Sequence, residues 1–166
     1  MSSEMHHSAE AKRGFFRKSV TIAASPERVW AALTEPAQMR EWMFSSPIEV
    51  VTDWVVGGPI AMSGDLHGVP FTNMGVVLAF EPLTVLRYSH LNSVSRLPDT
   101  PDNHALIEFA LEPERDRTIL TVSITQCPTD VIYKHLAFYW TMTLDVLQRC
   151  LADVNGATGS PGQGCA

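Results

Sequence analysis

The sequence is short of the features that most often reveal an activity. It has three cysteines, Cys127, Cys150 and Cys165. Their number is odd and none forms a CxxC pair, which excludes a disulfide scaffold and a cysteine-built zinc site and predicts reduced thiols in a cytoplasmic protein. No apolar run approaches the roughly 18 residues a membrane-spanning helix needs. The opening residues, MSSEMHHSAEAKRG, lack the apolar core of a secretory signal. Basic residues are outnumbered, 12 Lys and Arg against 18 Asp and Glu for a net charge of -6. That argues against nucleic acid and anionic membrane surfaces, which select clustered positive charge.

Catalytic signatures are missing as well. Gly57-Gly58 is followed neither by Lys-Ser/Thr nor by a helix, so it is not a phosphate loop. No His, Asp and Glu cluster has metal-ligand spacing, and the adjacent His6 and His7 read as incidental residues of a polar tail. Ser63 and Ser123 stand outside any nucleophile-elbow context. Cys127 and Cys150 have no evident activating base. No catalytic set, metal or cofactor is expected.

What the chain does have is one long amphipathic segment, Thr129 to Val154, without Gly or Pro. Pro128 precedes it, Thr129 or Asp130 can cap it, and Asn155-Gly156 reads as a left-handed stop. About 25 residues at 1.5 Å each make a rod of nearly 40 Å. Tyr133, Leu136, Ala137, Trp140, Leu144, Leu147, Leu151 and Val154 recur at helical spacing and share a face. A rod that one-sided needs a broad partner, and alternating segments supply it. Phe15 to Ala23 is a first strand. Ser25 caps a short helix with Pro26 in its first turn, and Pro36 separates it from a second, Ala37 to Trp42. Strands follow over 48–52, 60–66, 73–80, 84–91, 104–111 and 117–126, with an irregular loop over 92–102. Short connections imply an antiparallel meander of about seven strands, twisted and therefore curved around the rod. Alternation turns Leu86, Tyr88 and His90 inward, with Ala105, Ile107, Phe109, Leu111, Leu120, Val122 and Ile124. With 166 residues, 45% of them hydrophobic, the chain suits one domain, expected over 14–155 between a disordered tail (1–13) and a Gly-rich flexible one (156–166).

Several stretches together resemble a known family. They are Ala24 to Pro36 (ASPERVWAALTEP) followed by Trp42; Gly57-Gly58-Pro59-Ile60; Gly75 to Pro82 (GVVLAFEP) running into Leu86-Arg87-Tyr88; and the spacing of Trp140, Leu144 and Leu147. The chain is similar there to the START-like (SRPBCC) helix-grip superfamily, in its branch named for homology to the activator of Hsp90 ATPase. The resemblance covers roughly Phe15 to Val154. It implies an α+β fold in which a curved antiparallel sheet grips the C-terminal helix, with a cavity between them. It says less about function, because the superfamily includes lipid carriers, hormone receptors and polyketide cyclases.

On that frame, Tyr88 and His90 either orient a polar group of a ligand, with His90 as an acid or base, or are core residues with satisfied polar ends. His104 reads as solvated surface and Trp30 as core. Trp42, Met43 and Phe44 end a short helix where a cavity mouth is expected, and Trp54 closes the same region. Met62 and Met74 are adaptable walls or core filling, with Ile107 and Phe109 on the neighbouring strand. Tyr133, Ala137, Trp140, Thr141 and Leu144 are the helix positions expected to face a ligand. Three functions follow: binding of a small hydrophobic or aromatic molecule, lipid or polyketide-like; stimulation of an Hsp90-type ATPase in a stress response; and a cyclase or dehydratase using Tyr88 and His90. Binding ranks first because the inward surface is aromatic and sulfur-rich with few polar groups.

Overall fold

The computed structural model describes residues 14–156, so His6, His7, Cys165 and the expectations placed on the two tails lie largely outside it. Seven strands form one antiparallel sheet in the order β1-β7-β6-β5-β4-β3-β2. They are β1 (Phe16–Ile22), β2 (Ile48–Thr52), β3 (Pro59–Leu66), β4 (Val69–Glu81), β5 (Val85–Asn92), β6 (Ala105–Glu114) and β7 (Arg117–Thr125). Helices α1 (Pro26–Thr34) and α2 (Pro36–Trp42) carry the chain from one edge of the sheet to the other, and α3 (Asp130–Gly156) follows β7. This is the helix-grip architecture the sequence predicts.

Local chemistry explains most element ends. Ser25 Oγ accepts from the Arg28 amide at 3.3 Å and opens α1, while Glu35 adopts an extended backbone ahead of Pro36 and closes it. The indoles of Trp42 and Trp54 then donate to the carbonyls of Ala32 (2.9 Å) and Thr34 (2.7 Å), satisfying acceptors that the end of α1 leaves open. Thr129 Oγ1 caps α3 on the Ile132 amide at 3.1 Å.

Some boundaries move. β4 begins at Val69, because His67 and Gly68 alone make the turn, both at positive φ, and Leu66 already faces Val69. The irregular segment after β5 contains 3-10 turns at Ser93–Ser95 and Pro101–Asn103. Helix α3 extends through Gly156, two residues past the expected last turn at Val154. Cys127 is a buried free thiol, but Cys150 is disulfide-bonded. That corrects the reduced-thiol expectation at Cys150; spacing along a chain does not reveal which sulfurs meet.

The core lies between α3 and the concave face. Leu144 and Leu147 are fully buried against it, as are Leu120, Val122 and Ile124 of β7. Polar anchors hold the helix near the β1 edge. Lys18 Nζ donates to the Thr141 carbonyl (2.9 Å) and Asp145 Oδ1 (3.0 Å), Gln148 donates to the Thr21 carbonyl (2.8 Å), and Arg28 donates to the Leu151 carbonyl (3.1 Å). Held there, the rod leaves the concave face of β3 to β5 uncovered.

Candidate ligand-binding site

That uncovered face is the floor of an open cleft of about 1680 Å³ between the sheet, the end of α2 and one side of α3. A straight helix cannot follow a curved sheet along its whole width, and side chains have not filled the gap. Of the residues singled out from the sequence, Trp42, Phe44, Met62, Tyr88, His90, Ile107 and Trp140 line it.

Seven others stand elsewhere, for three reasons. Trp54 stacks on Phe80 with ring centroids 5.6 Å apart, behind the wall that Trp42 forms. Phe109 lies one layer deeper, edge-on to Trp140 at 5.2 Å and tilted against Tyr88 at 5.9 Å. Met74 pairs with Ala61, whereas Met62 pairs with Asn73, and cross-strand partners share a face. Met62 therefore looks into the cleft beside Asn73, and Met74 looks away. Tyr133, Ala137, Thr141 and Leu144 lie on the side of α3 turned toward β1: Tyr133 covers Gly14, Thr141 meets Lys18, and Leu144 is core. The helix presents Ile132, Leu136, Tyr139, Thr143 and Val146 to the cleft instead, roughly a third of a turn away, with Trp140 at the seam. Apolar residues cover much of the helix circumference, so periodicity alone does not fix this rotation; the anchors to β1 do.

The aromatic wall is continuous. Trp42 lies 6.2 Å from Trp140, and Phe44 lies 5.6 Å from Phe71 and 5.8 Å from Tyr139. The Tyr139 hydroxyl donates to the Met43 carbonyl and ties α3 to the end of α2. Burial pushes the Tyr139 phenol well up, against a smaller opposite effect of its hydrogen bond with Thr143.

Polar groups gather at one end, where β4, β5 and the following turn meet. Asn73 and Asn92 face each other across the strands, Asn92 Nδ2 donating to Asn73 Oδ1 at 2.6 Å. Neither was singled out from the sequence, although their opposed positions on alternating strands were the available signal. His90 is held neutral, its pKa pushed down to about 4 by burial first and then by neighbouring His104 and His135. Burial, with a smaller contribution from Tyr139, pushes the Tyr88 phenol far above its ordinary range. His104 is buried rather than solvated, its Nε2 bonded to Asp99 Oδ1 at 2.7 Å and its Nδ1 without a partner. The loop over 92–102 folds back over His104, which its position at a strand start did not reveal. Asp99 therefore orients His104, and among the described residues no carboxylate is bonded to His90. The site offers neutral hydrogen-bonding groups, without a paired acid and base. Among the described residues no group of three or more His, Cys, Asp or Glu is placed to hold a metal.

A family model described as activator of Hsp90 ATPase homolog 1-like protein matches residues 23–152. A search of curated proteins finds no match. Among solved structures, a protein from Cytophaga hutchinsonii is similar at 27% identity and a TM-score of 0.74, over 87% of this chain and 98% of that one. The Aha1 dimer from Colwellia psychrerythraea is 21% identical with a TM-score of 0.64, over 83% of this chain and 96% of that one. DynU16, a protein of the dynemicin biosynthetic locus, is 21% identical with a TM-score of 0.63, over 83% of this chain and 47% of that one. The last two likenesses show the fold alone.

Proposed function

The chain belongs to the family of activator of Hsp90 ATPase homolog 1-like proteins, and we propose that within it this member binds a small hydrophobic or aromatic molecule in the cleft between α3 and the sheet. One observation carries the reading: an open space of about 1680 Å³ walled by Trp42, Phe44, Phe71, Tyr139 and Trp140, with a few neutral polar groups at one end. Ligand sites combine an apolar wall with a small number of placed polar groups in this way. A thermal-shift screen of lipids, flavonoids and polyketides, with native mass spectrometry of freshly purified protein, tests it. A ligand present at 100 times its Kd stabilises by about 2.7 kcal/mol, which for a chain of this size raises Tm by roughly 5–10 °C. Failure of every compound to raise Tm, together with no co-purified mass, overturns the proposal.

A second reading, stimulation of an Hsp90-type ATPase, draws on the family and on an exposed stripe of α3 that runs along the rim of the cleft. Val131, Phe138 and Met142 are 77%, 70% and 55% exposed there, an apolar line that suits a protein partner. An ATPase assay with the cognate chaperone decides it: no rate change with this protein in excess removes the reading.

A further inference from the structure

Strand β5 sets three polar side chains in a row. Residues two apart share a face, so Tyr88, His90 and Asn92 all turn to the cleft, and all three line it. Tyr88 is only 4% exposed. Its hydroxyl makes no hydrogen bond among the described residues, nor does either ring nitrogen of His90. The Tyr88 hydroxyl and the half-buried His90 ring face the open cleft, where the polar atoms of a bound molecule can take the bonds that no protein group supplies. Asn92 is held in place from both sides, donating to Asn73 at 2.6 Å and accepting from the Val94 amide at 2.7 Å. Its second amide hydrogen remains for a ligand. Along a strand these side chains are about 7 Å apart, a spacing that suits a flat skeleton of several rings with polar groups along one edge.

Positive charge at the cleft is carried by Arg40 and Arg149 on the helices, not by the β5 row. Among the described residues no lysine lines the cleft. Arg40 and Arg149 are exposed at its mouth, beside Glu41 and Asp145, and their Nε groups are engaged by the carbonyls of Ile48 (3.0 Å) and Asp145 (3.3 Å). His90 is neutral at pH 7, because burial and the nearby His104 and His135 disfavour its cation. A carboxylate carried to the Tyr88–Asn92 row would lose its hydration without gaining a cation.

We infer that the cleft takes an uncharged aromatic molecule whose hydroxyl or carbonyl groups lie against Tyr88, His90 and Asn92, and that it discriminates against carboxylate-headed molecules, fatty acids included. This rests on the binding function proposed above and narrows its ligand class.

Three compounds of nearly one shape test it at pH 7 on the full chain: naphthalene, 2-naphthol and 2-naphthoate, titrated by calorimetry and by amide NMR. 2-Naphthol is expected to bind at least about tenfold more tightly than either of the others, since sites built to hydrogen-bond a hydroxyl reject analogues that lack it. Its largest amide shifts are expected over Tyr88 to Asn92. Tyr88→Phe removes one oxygen that has no protein partner and leaves the packing intact. Combined with His90→Leu, it should bring 2-naphthol and naphthalene to near parity, while an unchanged pattern of dispersed amide resonances shows that the domain still folds. If 2-naphthoate binds as tightly as 2-naphthol, or naphthalene matches 2-naphthol in the unmodified protein, the inference is overturned and the binding function stands. If none of the three binds, the aromatic-binding function falls with it.

Discussion

At Gly75 the main chain of β4 comes so close to β5 that a Cβ there would stand 1.7 Å from the Ser89 carbonyl oxygen. Backbone atoms in a paired strand have little room to retreat, so Gly75→Ala should cost on the order of 3 kcal/mol in a urea unfolding measurement. A loss below about 1 kcal/mol, the range of an ordinary surface change, would mean that the two strands do not approach this way. His90 gives the pH dependence of the site. In the folded protein its imidazole titrates at about 4 rather than at the ordinary 6.5. Between those values the unfolded chain binds a proton that the folded chain refuses. The contribution of His90 to stability is therefore complete above about pH 6.5 and lost as the pH falls toward 4, on the order of 2–3 kcal/mol. Unfolding measured at pH 7 and pH 4.5 should show a smaller acid loss in His90→Gln than in the parent. A His90 ring resonance titrating near 6.5 by NMR would contradict the desolvated site. Gly75 was visible in the sequence as part of a motif, and His90 as an inward position. The reason each residue is needed was not visible, because it lies in contacts with Ser89, His104 and His135 made across strands and loops.

The elements fix what the residues can reach. Helix α3 is amphipathic by its own spacing, yet its rotation is set by Lys18, Gln148 and Arg28, two of them on β1 or α1 and one on the helix itself. Lys18 makes two of these bonds, at 2.9 and 3.0 Å. Lys18→Met keeps the aliphatic stem and removes both bonds; because the Lys18–Asp145 pair is partly exposed, only about 1 kcal/mol should be lost in denaturant unfolding. The more telling outcome is in NMR: amide shifts should spread along Thr141 to Gln148, and shifts confined to position 18 would show that the anchor does not hold the helix. The sheet supplies a second example. The register shift between Val77 and Ala79 lets both Val77 and Phe80 face inward, with Phe80 5.3 Å from Trp30. Strict alternation along β4 does not foresee that change of side, and β4 is also the strand on which Asn73 rather than the expected Met74 lines the cleft.

Taken whole, the molecule is a sheet that covers its helix on one side and leaves a cleft on the other. Truncations should register that asymmetry. Leu147 is fully buried against the sheet, and Leu136 borders the cleft. Leu147→Ala should cost about 3–4 kcal/mol and Leu136→Ala, buried but at the wall of the cleft, about 2 kcal/mol, since the void it leaves merges with an existing space. Equal costs in chemical unfolding would indicate that the cleft is packed shut. By itself the sequence determined the seven strands, the two short helices broken at Pro36 and the long C-terminal helix, because each follows from local periodicity, capping and breaker residues; the family followed instead from the resemblance of its motifs. Only the tertiary structure decided which side of α3 faces the open space, that Asn73 and Asn92 stand together there, and that His104 is buried beneath its loop. Those facts depend on strand register and on anchors between residues more than a hundred positions apart, such as Lys18 and Thr141, and no pattern within a single segment encodes them.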